Sequence, residues 1–302
     1  PVAAITDFHP TDPYITPNES FYRIDTALSF PRVDQEKWKL RIHGLVEREK
    51  LFSMDDLRAL PQVERIITLC CVSNEVGGPY IGNAVWRGVL LKDVLESCGI
   101  NKDAEQVFTT SLDGWTSGFP VSAALDGRDA LIAIGMNGQS LPLMHGYPAR
   151  LVVPGLYGYV SATKWLSEIN ITTWSEEEGY WIPRGWSRDA PVKTQSRIDV
   201  PRQGESISAG KFRLAGVAWA QHTGVERVEV RIDRGAWQTC DLGVDLTDDA
   251  WRQWIFDWDA TAGEHTIQVR TTDKSGYIQT EEVRRVDPDG ATGWHTRTVT
   301  VI

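Results

Sequence analysis

Residues 65–79 read Arg65-Ile66-Ile67-Thr68-Leu69-Cys70-Cys71-Val72-Ser73-Asn74-Glu75-Val76-Gly77-Gly78-Pro79. The first half is apolar and β-branched, the pattern of a buried strand. The second half carries turn chemistry, with Ser73, Asn74, Gly77, Gly78 and Pro79 in quick succession. A buried strand that empties into a glycine-containing loop is a common setting for a binding site. Two adjacent thiols, Cys70 and Cys71, sit at that junction. Successive strand residues face opposite sides, so these two are expected to point apart rather than to form a vicinal disulfide. Taken alone, either is a buried small hydrophobe or a ligand. Cys98 and Cys240 complete the set, and no Cys-x-x-Cys pair is present, which argues against a zinc ribbon or a thioredoxin-type redox site.

Working outward, Trp38–Gly44 alternates like a half-buried strand, and Ser53 is placed to cap a short helix that closes before Pro61. Four prolines, Pro10, Pro13, Pro17 and Pro31, keep residues 1–30 irregular. Leu90–Cys98 has the pattern of an amphipathic helix stopped by Gly99. Gln106–Leu112, Ala130–Met136 and Arg150–Pro154 read as strands, and Asn137-Gly138 is a strong hairpin turn. A glycine-rich segment, Gly155 to Trp165, follows. Beyond residue 190 helical periodicity gives way to short alternating strands at Phe212–Ala220, Val225–Asp233, Trp251–Asp259, His265–Asp273 and Thr296–Ile302. The organisation expected is therefore an α+β domain over residues 1–190 and an all-β, immunoglobulin-like sandwich over 191–302.

Composition narrows the function. A chain of 302 residues has room for two domains, and its 13 Trp require a sizeable core. The net charge of −10 repels nucleic-acid phosphate, so no nucleic-acid partner is expected. No stretch reaches the roughly 18–20 apolar residues of a membrane span. No Gly-x-Ser-x-Gly elbow supports a serine hydrolase.

Thr68-Leu-Cys-Cys-Val-Ser-Asn74 resembles the sulfite oxidase family, in which a strand-end Cys followed by two small residues and Asn ligates molybdenum; alignment on Asn74 selects Cys71. Phe21-Tyr22-Arg23, Ala84-Val-Trp86-Arg-Gly88, Met136-Asn-Gly138, His145-Gly-Tyr-Pro-Ala-Arg-Leu-Val-Val-Pro154, Lys164-Trp165-Leu166 and Trp294-His295 occur in the family's order. The resemblance implies a molybdopterin-binding domain, here residues 1–190, and a dimerisation domain, here 191–302. It also implies a molybdenum–molybdopterin (pyranopterin dithiolene) cofactor, with Cys71 on the metal. A soft thiolate suits a high-valent, thiophilic metal. Asn74, His145, Arg150, Ser161 and Lys164 match positions that contact the cofactor, whose phosphate needs cations and N–H donors. Arg23 and Arg252 match arginines of the substrate pocket, where bidentate contact suits an oxyanion.

Two departures stand out. Glu75 and Val76 replace a pair of arginines found in the animal enzymes, and Trp181-Ile-Pro-Arg184-Gly-Trp186 occupies the place of a Tyr-Lys-Gly-Phe segment. Arg184 and Tyr180 are the candidates for the missing cation and phenol. No Cys-x-x-Cys-His haem attachment motif is present, so a separate cytochrome or quinone-linked electron partner is expected. The reaction implied is two-electron oxygen-atom transfer on a small anionic sulfur substrate such as sulfite. The rivals are reduction of an S-oxide or N-oxide on the same cofactor, and a non-catalytic immunoglobulin-like interaction module. A homodimer and an extracytoplasmic location, periplasmic or membrane-tethered, complete the expectations.

Overall fold

A computed structural model of the chain describes residues 13–25 and 29–302. Parts of the irregular segment read over residues 1–30, including Pro10, lie outside the described residues. The chain divides into two compact units. Of the described residues, one unit comprises those within 17–72 and 84–191, and the other comprises 13–16, 73–83 and 192–302.

The first unit holds β1 (Lys39–Gly44), β2 (Lys50–Ser53), β3 (Val63–Cys70), the greater part of β4 (Ile81–Leu90), β5 (Gln106–Ser111), β6 (Thr116–Pro120), β7 (Leu131–Met136), β8 (Gln139–Ser140), β9 (Arg150–Val152) and β10 (Leu166–Thr172). Its helices are short: α1 (Met54–Ala59), α2 (Leu91–Cys98), α3 (Val121–Leu125) and α4 (Gly158–Ser161). One sheet runs β2-β1-β10-β5-β6, with β1 and β10 parallel; the other runs β3-β4-β7-β8, with β9 added to β7. The unit is therefore richer in strand and poorer in helix than an α+β reading suggests. No helix among the described residues is long and apolar enough to cross a membrane.

Local chemistry accounts for these elements. Ser53 caps α1 in a reciprocal box, accepting from Asp56 N while Asp56 accepts from Ser53 N. Gly99 ends α2 with φ of +72°. Asn137 and Gly138, at φ of +51° and +75°, turn β7 into β8 as the dipeptide demands. Leu91, Val94, Leu95 and Cys98 give α2 one buried face, which packs into the core with Leu40, Ile42 and Ile169.

The second unit holds β11 (Gln195–Val200), β12 (Ser206–Ile207), β13 (Gly210–Trp219), β14 (Val225–Ile232), β15 (Gln238–Thr239), β16 (Asp241–Leu242), β17 (Arg252–Ala260), β18 (Gly263–Asp273) and β19 (His295–Val301). They form two sheets, β11-β13-β17-β16 and β12-β19-β18-β14-β15. Leu214, Ala218 and Trp254 from the first and Val228, Val269 and Val299 from the second share one apolar core. Within this unit the loop 73–80 is laid against β11 and β19. A Cβ at Gly77 would fall 2.2 Å from the His295 ring, so only glycine fits there. Arg197 donates to Gly78 O at 3.2 Å, and His295 Nδ1 accepts from Ile198 N at 2.8 Å.

His295 is buried, and burial, with Arg297 and Arg197 nearby, pulls its pKa down to about 3. An unfolded histidine titrates near 6.5. The folded protein therefore holds this ring neutral where the unfolded chain takes up a proton. The resulting stability is complete above about pH 6.5 and is lost as pH falls toward 3, with a slope of up to roughly 1.4 kcal/mol per pH unit. The urea midpoint of the wild type is expected to fall more steeply between about pH 6 and pH 4 than that of His295→Gln. Parallel profiles would contradict this.

Candidate functional site

The site in the first unit is made where two segments, 143–151 and 162–166, are zipped by backbone hydrogen bonds. Leu151 N donates to Thr163 O at 2.9 Å, Leu166 N to Ala149 O at 2.9 Å and Trp165 N to Gly146 O at 3.3 Å. Trp165 fixes the same junction through Nε1, which donates to Leu143 O at 2.8 Å. Gly146 is in the left-handed region at φ of +109°, and a Cβ there would meet the Cβ atoms of both Arg150 and Lys164 at 3.0 Å. A single glycine thus lets two cationic side chains leave neighbouring backbones side by side.

Arg150 is 5% exposed. Its guanidinium donates to His145 O (3.1 Å), Leu151 O (3.3 Å) and Ala162 O (3.4 Å), and lies 5.0 Å over the Trp86 ring. Trp86 is itself pinned by Nε1, which donates to Ile67 O at 3.0 Å. Carbonyl dipoles and a π face solvate this cation, but among the described residues no carboxylate pairs with it. Burial pulls its pKa down to about 10, which leaves it charged at neutral pH.

The Tyr22 phenol feels both this cation and the two adjacent thiols. Cys70, Cys71, Cys98 and Cys240 are all buried and none is in a disulfide, so the adjacent pair is not bridged. Cys70 is the last residue of β3, and its Sγ turns back to Cys71 O at 3.5 Å. Cys71 is the first residue past the strand. The buried Tyr22 phenol is pushed well above its usual range, first by burial and then by the charges of Cys71 and Cys70, with Arg150 opposing them. Gly158 packs close by, where a Cβ would lie 3.9 Å from Cys70 O and from the Tyr22 hydroxyl.

His145 Nε2 is 2.7 Å from Asn18 O, and its ring packs edge-on to Phe21 at 5.6 Å. Burial, then Arg150 and Arg23, lower its pKa, so the ring is neutral and Nε2–H is the donor to that carbonyl. This bond anchors the Phe21-Tyr22-Arg23 segment. Lys164 Nζ donates to Ile24 O (3.2 Å) and Met144 O (3.3 Å) and pairs with the carboxylate of Asp25, which also accepts from Arg23 Nε. Burial and the nearby Arg23 charge pull the Lys164 pKa down to about 7; direct contact with Asp25 opposes that shift and favours the charged form.

Five of the ten residues singled out from sequence fall in this cluster, and the other five are engaged elsewhere. Cys71, His145, Arg150, Lys164 and Arg23 are joined through the contacts above. Ser161 is buried in α4, its hydroxyl donating to Tyr157 O at 3.0 Å. Arg184 stacks 3.7 Å over the Tyr180 ring and donates to Tyr180 O. Asn74 belongs to the second unit. There its Oδ1 accepts from Tyr80 N at 2.7 Å, while its Nδ2 is buried without a hydrogen-bond partner. Arg252, also in the second unit, donates to Gly243 O (3.0 Å) and Val225 O (3.1 Å) and lies 3.6 Å from Asp245.

Sequence reasoning missed four contributors. Tyr22 and Trp86 were quoted only as parts of motifs, and Asp25 reads as an ordinary i+2 ion-pair partner of Arg23. The fourth is a closed triangle of buried hydroxyls, Thr109, Ser117 and Thr163, at 2.7–2.9 Å, which pins the residue before Lys164. No local signal joins residues so far apart in the chain.

The donor set suits a large anionic group bound through sulfur. A thiol stands at a strand end, a buried cation lacks a carboxylate, and a second cation sits beside it. The oxidoreductase molybdopterin binding domain family matches residues 27–181. Human mitochondrial sulfite oxidase is 30% identical over 306 residues, covering 86% of this chain and 56% of that protein. The chain thus spans about half the length of the first such relatives. Sulfite oxidase of Gallus gallus is 30% identical over 333 residues, covering 93% of this chain and 72% of that protein. In fold, the chain is similar to the sulfane dehydrogenase SoxCD from Paracoccus pantotrophus, with a TM-score of 0.79 and 23% identity over 95% of this chain and 83% of that one.

Gly146→Ala is expected to push Arg150 and Lys164 apart and to lower the molybdenum content of purified protein several-fold, while Gly138→Ala, with nothing within 4 Å of its added Cβ, leaves metal content unchanged. Metal analysis of the two variants checks this, and equal content in both would contradict it.

Proposed function

The chain belongs to the sulfite oxidase family of molybdopterin-dependent oxidoreductases, and we propose that it oxidises sulfite or a related small sulfur oxyanion by two-electron oxygen-atom transfer. It is an enzyme, and its cofactor is molybdenum held by molybdopterin. When bound, that cofactor supplies the two-electron redox chemistry and the oxygen transfer.

The chain's own residues bind, orient and exclude water. Cys71 is the thiolate ligand, fixed at the end of a buried strand so that its Sγ needs little reorganisation. Arg150 and Lys164 hold the anionic part of the cofactor, and Arg150 does so from a desolvated setting where its charge is least screened. Neutral His145 orients the N-terminal segment through Asn18 O, and Ser161 ties the turn of α4. Asn74, whose buried Nδ2 has no hydrogen-bond partner, is kept as a candidate cofactor donor. Tyr22, un-ionised at neutral pH, offers a phenolic hydroxyl beside the thiols without adding charge. Arg23, 43% exposed in its side chain, is the cation that meets an incoming oxyanion.

The observation that carries this reading is the buried Arg150 charge, met by carbonyls and the Trp86 face and, among the described residues, by no carboxylate. A water-derived oxygen and a separate electron acceptor, a cytochrome or quinone-linked protein, complete the reaction. The reading also keeps Arg184, Tyr180 and Arg252 as candidates for substrate contact. It takes residues 191–302 as an immunoglobulin-like dimerisation module and the protein as extracytoplasmic.

Sulfite-dependent reduction of cytochrome c by the purified holoenzyme is the expected activity. It should fall at least about a hundredfold in Arg23→Met, mainly through KM, because a cation facing the substrate is removed. Turnover confined to a reduced dye and methionine sulfoxide would contradict the direction proposed.

A further inference from the structure

Asp25 is the acidic residue tied into this cationic cluster. Its carboxylate is 5% exposed, contacts Arg23 Nε on one side and Lys164 Nζ on the other, and so joins the cation assigned to substrate to the cation assigned to cofactor. Lys164 is 13% exposed and Arg23 43%, so the array runs from interior to solvent with the carboxylate enclosed in its middle. The Arg23 guanidinium is further fixed 4.4 Å over the Phe30 ring, which holds it in place beside Asp25. Two cations and one carboxylate leave a net charge of +1 where two free cations would present +2.

We propose that Asp25 is a specificity-determining residue that offsets part of the Arg23–Lys164 charge, so that the entrance to the site favours singly charged oxyanions over doubly charged ones. The inference rests on Arg23 being the substrate-facing cation, as set out above. Discrimination of this kind comes from a repulsive element as much as from an attractive one. A carboxylate one side chain away from the approaching anion repels a second negative charge more than it repels the first. Because the carboxylate is enclosed, solvent screens that repulsion less than it would at the surface. Opposite charges within about 4–6 Å shift equilibria by roughly 10- to 1000-fold, which sets the scale expected here.

Sulfate and perchlorate have the same tetrahedral shape and differ by one charge, so they read the charge selectivity of the entrance without turnover. Their affinities for the holoenzyme are measured by calorimetry in phosphate-free buffer at constant ionic strength. In Asp25→Asn the ratio of sulfate to perchlorate affinity is expected to rise about tenfold, and in Asp25→Glu to stay at the wild-type value. A ratio in Asp25→Asn within about twofold of wild type overturns the proposal. Should Asp25→Asn fail to fold, Arg23→Gln, altered at a half-exposed position, is expected to lower the ratio about tenfold, and equal weakening of both anions overturns the proposal. A holoenzyme that never oxidises sulfite would sink the substrate assignment while leaving the charge ratio to be judged on its own.

Discussion

Arg150 keeps a full positive charge in a place where an isolated charge is costly, and its surroundings are organised around that fact. Three carbonyl oxygens and the face of Trp86 solvate it, and each of those partners is itself held: Trp86 by Ile67 O, His145 by Asn18 O, Leu151 by Thr163 O, and Ala162 by the turn of α4. Carbonyl dipoles soften the desolvation of a guanidinium without cancelling its charge. The cluster therefore retains attraction for an anion. A buried carboxylate opposite Arg150 would be the ordinary way to neutralise such a charge; none is found among the described contacts, which supports the proposal that the cluster binds an anion.

The same economy of charge runs through the neighbouring side chains. His145 is neutral and serves as a donor, Tyr22 is un-ionised, and Lys164 shares Asp25 with Arg23. In this cluster, among the described residues, Arg150 has no carboxylate partner, while the half-exposed Arg23 shares Asp25 with Lys164. Gly146 makes this arrangement possible sterically, because any side chain there would occupy the space between Arg150 and Lys164. The second unit contributes a separate case of the same physics in His295, held neutral against the glycine-bearing loop that follows Cys71 in sequence.

Much of this was legible in the sequence because it is written locally. The Ser53 cap, the Asn137-Gly138 turn, the stop at Gly99 and the buried strand ending at Cys70 each depend on a few consecutive residues. The alternation beyond residue 190 marked β13, β14, β17, β18 and β19 for the same reason. Strands β4 and β10 passed unread: β4 carries Gly82, Asn83 and a charged Arg87 that break the alternation, and β10 mixes Glu168 and Asn170 into its apolar run. Ligand candidates emerged as an ordered series of motifs rather than from any one of them. The role of Asp25 was invisible because its contact with Lys164 spans 139 residues. The helical content expected of the first unit was too high, since its α-helices span only four to eight residues.

Cys71, rather than its neighbour Cys70, is the thiol proposed here as the metal ligand. Cys70 Sγ reaches Cys71 O, Cys71 is the first residue past β3, and the Tyr22 phenol feels both thiols as well as Arg150. X-ray absorption at the molybdenum edge of the loaded protein tests that assignment most directly. Cys71→Ser is expected to lose one sulfur scatterer from the metal relative to wild type, while Cys70→Ser retains the full set. Loss of the sulfur in Cys70→Ser, with Cys71→Ser unchanged, would contradict the account.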